Sequence, residues 1–372
     1  MFRCVDCAAT YPIDEPVWRC RCGGLLDLPL VTGRGFEVDP ATGSLWRYRF
    51  MFPRPEVTPV TLGEGMTPLV AEGPGLWLKL DFLMPTLSFK DRGSAVLLSH
   101  AAAMGVTRVV ADSSGNAGTS VAAYAARAGM AADVFVPSAT SAKKVAQLHA
   151  YGARVHQVAG SREDTADAAR AMVEADDAFY ASHVWNPLFH QGTKTFAYEL
   201  WEQLGALPDT VVVPAGNGTL LLGAAIGFAE LVAAGLAAVV PRLIAVQAAR
   251  CAPVAALWVG DTGDTGDTGD TVAEGIAIAR PARAAQIVAA VRASGGAVVT
   301  VGEEEILVAR RELLTRGLDV EPTAAAAWAG WRRWSRPPGE VEAPWSGPAN
   351  GTVVVALSGA GLKSPLPWFF LP

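Results

Sequence analysis

The sequence has no block of basic residues. Its 30 lysines and arginines are spread through 372 residues against 36 acids, giving a net charge of −6. Such a balance offers nucleic acid no electrostatic footprint, so no nucleic-acid partner is expected. No apolar h-region follows Met1-Phe2-Arg3-Cys4, so the start does not read as a secretory signal. The longest apolar stretch, residues 220–240, is interrupted by Gly223, Gly227, Glu230 and Gly235. It reads as a buried helix leading into a strand rather than as a membrane span. A soluble cytoplasmic protein is therefore expected. With hydrophobic residues at 51% and charged residues at only 18%, the chain can bury cores in two or three domains.

Cysteine is scarce and unevenly placed. Of five, Cys4, Cys7, Cys20 and Cys22 crowd the first 22 residues and Cys251 stands alone. A disulfide framework would spread its cysteines through a secreted chain. Two close pairs instead suit four thiolates around one zinc ion. Cys4-Val5-Asp6-Cys7 has knuckle spacing, and Cys20-Arg21-Cys22 is one residue tighter, with Gly23-Gly24 behind it to turn backbone amides toward sulfur. No histidine or carboxylate completes an open site, so a metal here would be structural. A ribbon-shaped segment that folds without metal remains the alternative.

From about residue 76 a regular alternation sets in. Apolar, strand-like runs occur at 76–80, 108–111, 132–136, 154–158, 210–214, 243–247, 298–301 and 352–357. Alanine-rich helical stretches such as 118–128, 143–151, 163–174, 191–204 and 303–315 separate most of them. Strand and helix in strict turn, with continuous Val, Ile and Leu in the strands, predict an α/β fold of parallel sheets covered on both faces. Two segments read as surface loops: the Gly-Asp-Thr repeat at 260–271 and the proline-rich stretch at 335–351. The repeat is too short for a calcium-binding β-helix.

Four segments carry chemistry. The first is Ser88-Phe89-Lys90-Asp91-Arg92-Gly93. A lysine amine held in a partly desolvated pocket becomes a nucleophile able to form imines, although a lysine on a solvated helix turn is the plainer reading. The second is Ser113-Ser114-Gly115-Asn116-Ala117-Gly118, at a strand-to-helix junction. Free N–H groups there suit an amino-acid carboxylate, and Asn116 can donate to a phenolate oxygen; a helix simply capped by Ser114 would look the same. The third, Pro214-Ala215-Gly216-Asn217-Gly218-Thr219, has the form of a phosphate cradle without the lysine of a nucleotide-binding loop. The fourth is Ala356-Leu357-Ser358-Gly359-Ala360-Gly361-Leu362-Lys363. A hydroxyl at the end of a buried strand can hydrogen-bond a pyridine nitrogen and leave it unprotonated, which suits eliminations over transamination.

In this order and spacing the four segments resemble the tryptophan-synthase-β-like, fold type II, pyridoxal-phosphate enzymes and, among them, the threonine synthases. Further matches are Met66-Thr67-Pro68-Leu69, Ala123-Tyr124-Ala125-Ala126-Arg127-Ala128-Gly129, Gly192-Thr193-Lys194-Thr195 and Glu321-Pro322-Thr323. The resemblance spans nearly the whole chain. It implies pyridoxal 5′-phosphate bound as a Schiff base on Lys90, with Asn116 on the ring oxygen. Gly216, Asn217, Gly218 and Thr219 would hold the phosphate, and Ser358 would face the pyridine nitrogen. Ser113, Ser114 and Ala117 would line the substrate side. Phe89 and Asp91 would fix the approach of the lysine. Arg92 would reach a phosphate or carboxylate, or else form a structural ion pair. Glu274 would lie on a loop near the cofactor, and His183 and His190 would flank the substrate side, as acid–base groups or as buried structural histidines.

The expected architecture is a zinc-ribbon-like segment at 1–28, a large cofactor-binding domain at 29–80 and 190–372, and a small mobile domain at 81–189. The implied activity converts O-phospho-L-homoserine and water to L-threonine and phosphate, in a homodimer with no membrane partner. Departures from the pattern touch the substrate. Ala117 replaces a hydroxyl residue, Leu87 replaces a glycine, and Phe189 stands where relatives carry an arginine. Lys143, Lys144 or Lys194 would then have to supply the missing cation. The rival readings are a serine or threonine dehydratase, a β-replacement enzyme such as a cysteate synthase, a non-catalytic cofactor-binding protein, and a zinc-ribbon recruitment module fused to an enzyme relic.

Overall fold

The computed structural model describes residues 1–33, 35–176, 178–261, 269–335 and 351–364. Residues 262–268 of the acidic repeat and 336–350 of the proline-rich loop lie outside the described residues. The chain divides into two units. The first comprises residues 1–66, 84–86 and 90–195, and the second residues 67–83, 87–89 and 196–372.

The first unit opens with a small antiparallel sheet of β1 (Phe2–Cys4), β2 (Thr10–Tyr11) and β3 (Leu26–Asp27), in the order β2-β1-β3. The second unit supplies β4 (Leu69–Gly73) and β5 (Leu76–Lys79). The first unit continues with β6 (Arg108–Ala111), β7 (Ala131–Pro137), β8 (Arg154–Val158) and β9 (Phe179–Tyr180), a parallel sheet in the order β8-β7-β6-β9. Helices Asn116–Arg127, Ala142–Ala150 and Arg162–Asp176 form its crossovers.

In the second unit β4 and β5 join β10 (Thr210–Pro214), β11 (Arg242–Ala248), β12 (Ala297–Val301) and β13 (Val353–Ala356). The order is β12-β11-β10-β13-β5-β4. Every residue of β10 and of β13 is buried. Consecutive buried residues along a strand require cover on both faces, which is why these strands read as unbroken valine runs. The edge strand β4 has exposed and half-buried residues instead. It also runs antiparallel to β5, folded back through a turn at Gly75, whose φ of 71° favours glycine. The larger sheet is thus not wholly parallel: β4 departs from the expected pattern.

Each strand-like run marked in the sequence forms a strand at its place, shifted by a residue or so at the ends. The run at 220–240 is helix Thr219–Ala233 followed by β11. Among the described residues, no helix is long and apolar enough to cross a membrane. One expected helix divides: 191–204 becomes Leu188–Thr193 and Thr195–Leu204. At the break, Thr193 Oγ1 donates to the His190 carbonyl and Thr195 Oγ1 to the Gly192 carbonyl at 2.7 Å. Such side-chain bonds compete with the backbone ladder.

Beneath the second sheet lies a buried ion pair. Lys79 Nζ donates to Glu199 Oε2 at 2.6 Å, to Gln203 Oε1 at 2.9 Å and to the Thr67 carbonyl at 2.7 Å. Both charged side chains are fully buried. Three acceptors satisfy the three ammonium protons, so the pair is tolerated, and the penalty falls on any change that removes only one charge. Lys79→Met is expected to lower unfolding stability by about 3–5 kcal/mol, and the double variant Lys79→Met/Glu199→Leu to recover most of that loss. Urea unfolding of the three proteins measures both effects.

Candidate active site

Lys90 opens helix Lys90–Ala103 and is half-buried. The residues on either side of it are tightly held. Phe89 N donates to the Ser358 carbonyl and Ala360 N to the Leu87 carbonyl, both at 3.0 Å. Residues 87–89 therefore lie along the chain that leaves β13. Leu87 takes a φ of 65°, a left-handed conformation costly for a side chain with a Cβ. After the lysine, the buried Asp91 carboxylate accepts from Thr86 N at 2.6 Å, Thr86 Oγ1 at 2.5 Å and Ser120 Oγ at 2.6 Å. Asp91 thus ties the start of the lysine's helix to helix Asn116–Arg127. That same helix is anchored by Tyr124, whose hydroxyl donates to the buried Glu64 at 2.7 Å; Trp46 Nε1 and Leu62 N reach this carboxylate at 2.8 Å each. Burial pushes the Tyr124 hydroxyl far up, so it stays a donor.

Helices Lys90–Ala103 and Leu188–Thr193 cross closely because glycines face each other. A Cβ on Gly192 would meet the Arg92 carbonyl oxygen at 1.9 Å, and one on Gly93 would meet the Phe189 ring at 2.3 Å. The crossing sets the Phe189 ring centroid 5.6 Å from Lys90 Nζ. His183 packs edge-on to the same ring at 5.9 Å. Burial, and then the charge of Lys90, hold His183 well below the usual histidine range, so its imidazole is neutral. Arg92 is fully buried and donates from Nη1 to Thr195 Oγ1 at 3.1 Å. Of the lysines proposed to replace the missing arginine, Lys194 is buried with Nζ on the Met51 carbonyl at 2.7 Å, Lys143 is exposed and Lys144 half-buried.

At the 113–118 junction no side chain caps the helix: the cap residue is Gly115. The Ser114 cap that would have made this an ordinary helix start is not formed. Ser113 Oγ accepts instead from Gly115 N at 3.3 Å. Gly118 is required, since a Cβ there would meet the Ser113 carbonyl oxygen at 1.8 Å. Asn116 is the first helical residue and Ala117 is buried.

In the second unit, residues 215–219 turn out of β10 into helix Thr219–Ala233. Gly218 caps that helix with a φ of 72°, and its missing Cβ would meet Ile287 at 2.4 Å. A Cβ on Gly216 would meet Ile276 Cα at 2.9 Å and the Gly275 carbonyl at 3.0 Å. Neither Gly216 nor Gly218 can carry a side chain here, which favours exposed backbone N–H groups in the turn. The loop that presses on Gly216 carries Glu274, whose side chain is exposed. Gly275 N donates to Thr323 Oγ1 at 3.0 Å, and Glu321 N to the Gly359 carbonyl at 3.0 Å. The Glu321-Pro322-Thr323 motif therefore connects the Gly216 turn to the Ser358 strand end. Ser358 Oγ and Ser88 Oγ are buried, and among the described residues neither has a hydrogen-bond partner.

Within each unit the features suit a part of pyridoxal phosphate: in the first a half-buried lysine, in the second a glycine turn at a helix start and an unsatisfied buried hydroxyl at Ser358. Sequence reasoning expected Asp91 to fix the approach of the lysine but missed the Glu64 hub, and nothing in the sequence revealed the partners of either carboxylate.

Residues 60–359 match the family described as pyridoxal-phosphate dependent enzyme. The chain is 34% identical over 350 residues to the threonine synthase of Methanosarcina acetivorans, covering 89% of this chain and 86% of that one. To the threonine synthase of Methanocaldococcus jannaschii it is 32% identical over 386 aligned residues, 98% of this chain and 93% of the relative. Among solved structures, maize serine racemase superposes with a TM-score of 0.67 at 21% identity, over 80% of this chain and 88% of that one, a likeness of fold.

Two buried histidines make the fold acid-sensitive. His183 is depressed as described, and burial pushes His100 down to about 4. Between roughly pH 6.5 and the lower folded values the unfolded chain binds more protons, so stability falls as pH falls, by up to ~1.4 kcal/mol per pH unit for each histidine. Melting curves from about pH 7.5 to about pH 5 should show a falling midpoint, with a shallower fall in His100→Gln. An unchanged slope in that variant would contradict the assignment.

Proposed function

The chain belongs to the pyridoxal-phosphate dependent enzymes and, within them, to the threonine synthases, and we propose that it converts O-phospho-L-homoserine and water to L-threonine and phosphate. The carrying observation is 32–34% identity to threonine synthases over 89–98% of this chain. We assign Lys90 to the Schiff base, Ser358 Oγ to the pyridine nitrogen, and Asn116 to the ring oxygen. Gly216, Asn217, Gly218 and Thr219 are assigned to the phosphate, and Ser113, Ser114 and Ala117 to the substrate. The unsatisfied Ser358 hydroxyl and the filled-in glycine turn support these roles. A cytoplasmic homodimer, which the resemblance implies, belongs to the same proposal.

When bound, the cofactor supplies an electron-withdrawing ring that stabilises a carbanion on an amino acid. Lys90 Nζ moves the protons, taking one from substrate Cα and one from Cβ. Phosphate leaves from Cγ, protons are returned to Cγ and to Cα, and water adds as hydroxyl at Cβ while its second proton goes to the departing phosphate. The face of Phe189 favours a proton held on Nζ, by cation–π attraction, between removal and return. His183, neutral, adds no competing positive charge beside that amine. The serine-rich helix start at 113–118 offers N–H groups to the substrate carboxylate.

Phe189 also favours a second reading. It is fully buried on Gly93 and offers no cation to a phosphate dianion, and Lys194 is engaged elsewhere. A dehydratase or β-replacement enzyme acting on an uncharged side chain would suit that wall better.

Supplying O-phospho-L-homoserine and following both products decides between them. Phosphate and threonine should appear in equal amounts, and Lys90→Ala should lower turnover by roughly 100- to 10,000-fold while removing the visible absorbance of the bound cofactor. Turnover of serine or threonine with none of the phosphate ester would establish the second reading instead.

A further inference from the structure

The N-terminal ribbon contains a site that the reaction does not use. The four sulfurs of Cys4, Cys7, Cys20 and Cys22 all lie within 4.8 Å of one another. Cys4 Sγ is 3.6 Å from Cys22 Sγ, and Cys7 Sγ is 3.5 Å from Cys20 Sγ. Four thiolates placed tetrahedrally at the Zn–S bond length would stand ~3.8 Å apart. The observed spacing is therefore close to that of a filled site, and none of the four is in a disulfide.

The backbone is arranged in the same sense, twice over. After Cys7 the chain turns at Ala8, with φ 60°, and after Cys22 at Gly23, with φ 89°. These two left-handed residues are equivalent in the two pairs. Each turn aims the following amide at sulfur, Ala9 N–H at Cys7 and Gly24 N–H at Cys22, and Cys22 N–H points at Cys20. Ala8 accepts a strained conformation to do this. Gly24 can hold no side chain, because a Cβ would meet Cys4 Sγ at 3.0 Å and the Asp6 carboxylate at 2.2 Å. Tyr11 adds a further donor: its hydroxyl accepts from Arg21 N at 3.0 Å and lies 3.1 Å from Cys20 Sγ. Donors directed at sulfur stabilise thiolate over thiol and tune a metal site from outside.

We propose that Cys4, Cys7, Cys20 and Cys22 bind one zinc ion as a closed tetrathiolate, with Tyr11 orienting Cys20. Four protein ligands leave no open position, so the ion is structural. Its effect is on folding, because β1, β2 and β3 are only two or three residues long. Phe2, Cys4, Tyr11, Cys20 and Leu26 belong to the core of the first unit. The ion therefore fastens the ribbon to that core. Such short strands form no stable sheet unaided, and metal binding energy would become folding energy.

The test is metal content of the full-length protein, grown with zinc and purified without chelator. It is independent of turnover, so its failure and that of the catalytic reading are distinguishable. One equivalent of zinc per chain is expected, released when a mercurial titrates the thiols. Cys20→Ser should lower bound zinc at least tenfold, while Cys251→Ser should keep it. Should Cys20→Ser not fold, exchange of the native protein with cobalt provides the second readout, as intense thiolate-to-cobalt absorption in the near ultraviolet. Equimolar iron, a metal-free chain with four freely titrating ribbon thiols, or zinc retained in folded Cys20→Ser would each overturn the assignment.

Discussion

The Asp91 carboxylate is the constraint on which the placement of Lys90 depends. It gathers three donors, two from Thr86 and one from Ser120, with bonds of 2.5–2.6 Å. Charge-assisted bonds of that length are strong and directional. On the other side of Lys90, Phe89 N is bonded to the Ser358 carbonyl. A flexible four-carbon side chain is thus mounted on a backbone fixed one residue before and one residue after it. The positive φ of Leu87 is the strain such a mounting tolerates.

Glycine determines what can approach that lysine. Gly93 and Gly192 allow two helices to cross at backbone contact, and Phe189 fills the space at their crossing. A side chain at either glycine would push the ring away from Lys90. The same logic governs the 216–218 turn, where a Cβ on Gly216 would meet Ile276 and one on Gly218 would meet Ile287.

Much of this was legible in the sequence, for identifiable reasons. Strands such as Thr210–Pro214 and Val353–Ala356 are buried on both faces, so hydrophobicity alone marks them. The glycine-rich turns announced themselves because few other residues fit there. Leu69–Gly73 was not marked, since an antiparallel edge strand has a mixed pattern and only two residues separate it from its partner. The helix break at Lys194 depends on threonine hydroxyls bonding back to carbonyls, which composition does not reveal. Lys194 was a candidate in the sequence to supply the missing cation, yet its Nζ is bonded to the Met51 carbonyl, 143 residues earlier in the chain. Long-range polar pairs such as this one, or Tyr124 with Glu64, are fixed by tertiary structure and have no local signature.

The central claim is that Lys90 carries the cofactor. Reducing the cofactor-loaded protein with borohydride and mapping the modified peptide tests it without reference to substrate. The account predicts one pyridoxyl group, on the peptide containing Lys90. A pyridoxyl group on another lysine, or a bound cofactor that borohydride cannot fix to the chain, would contradict it.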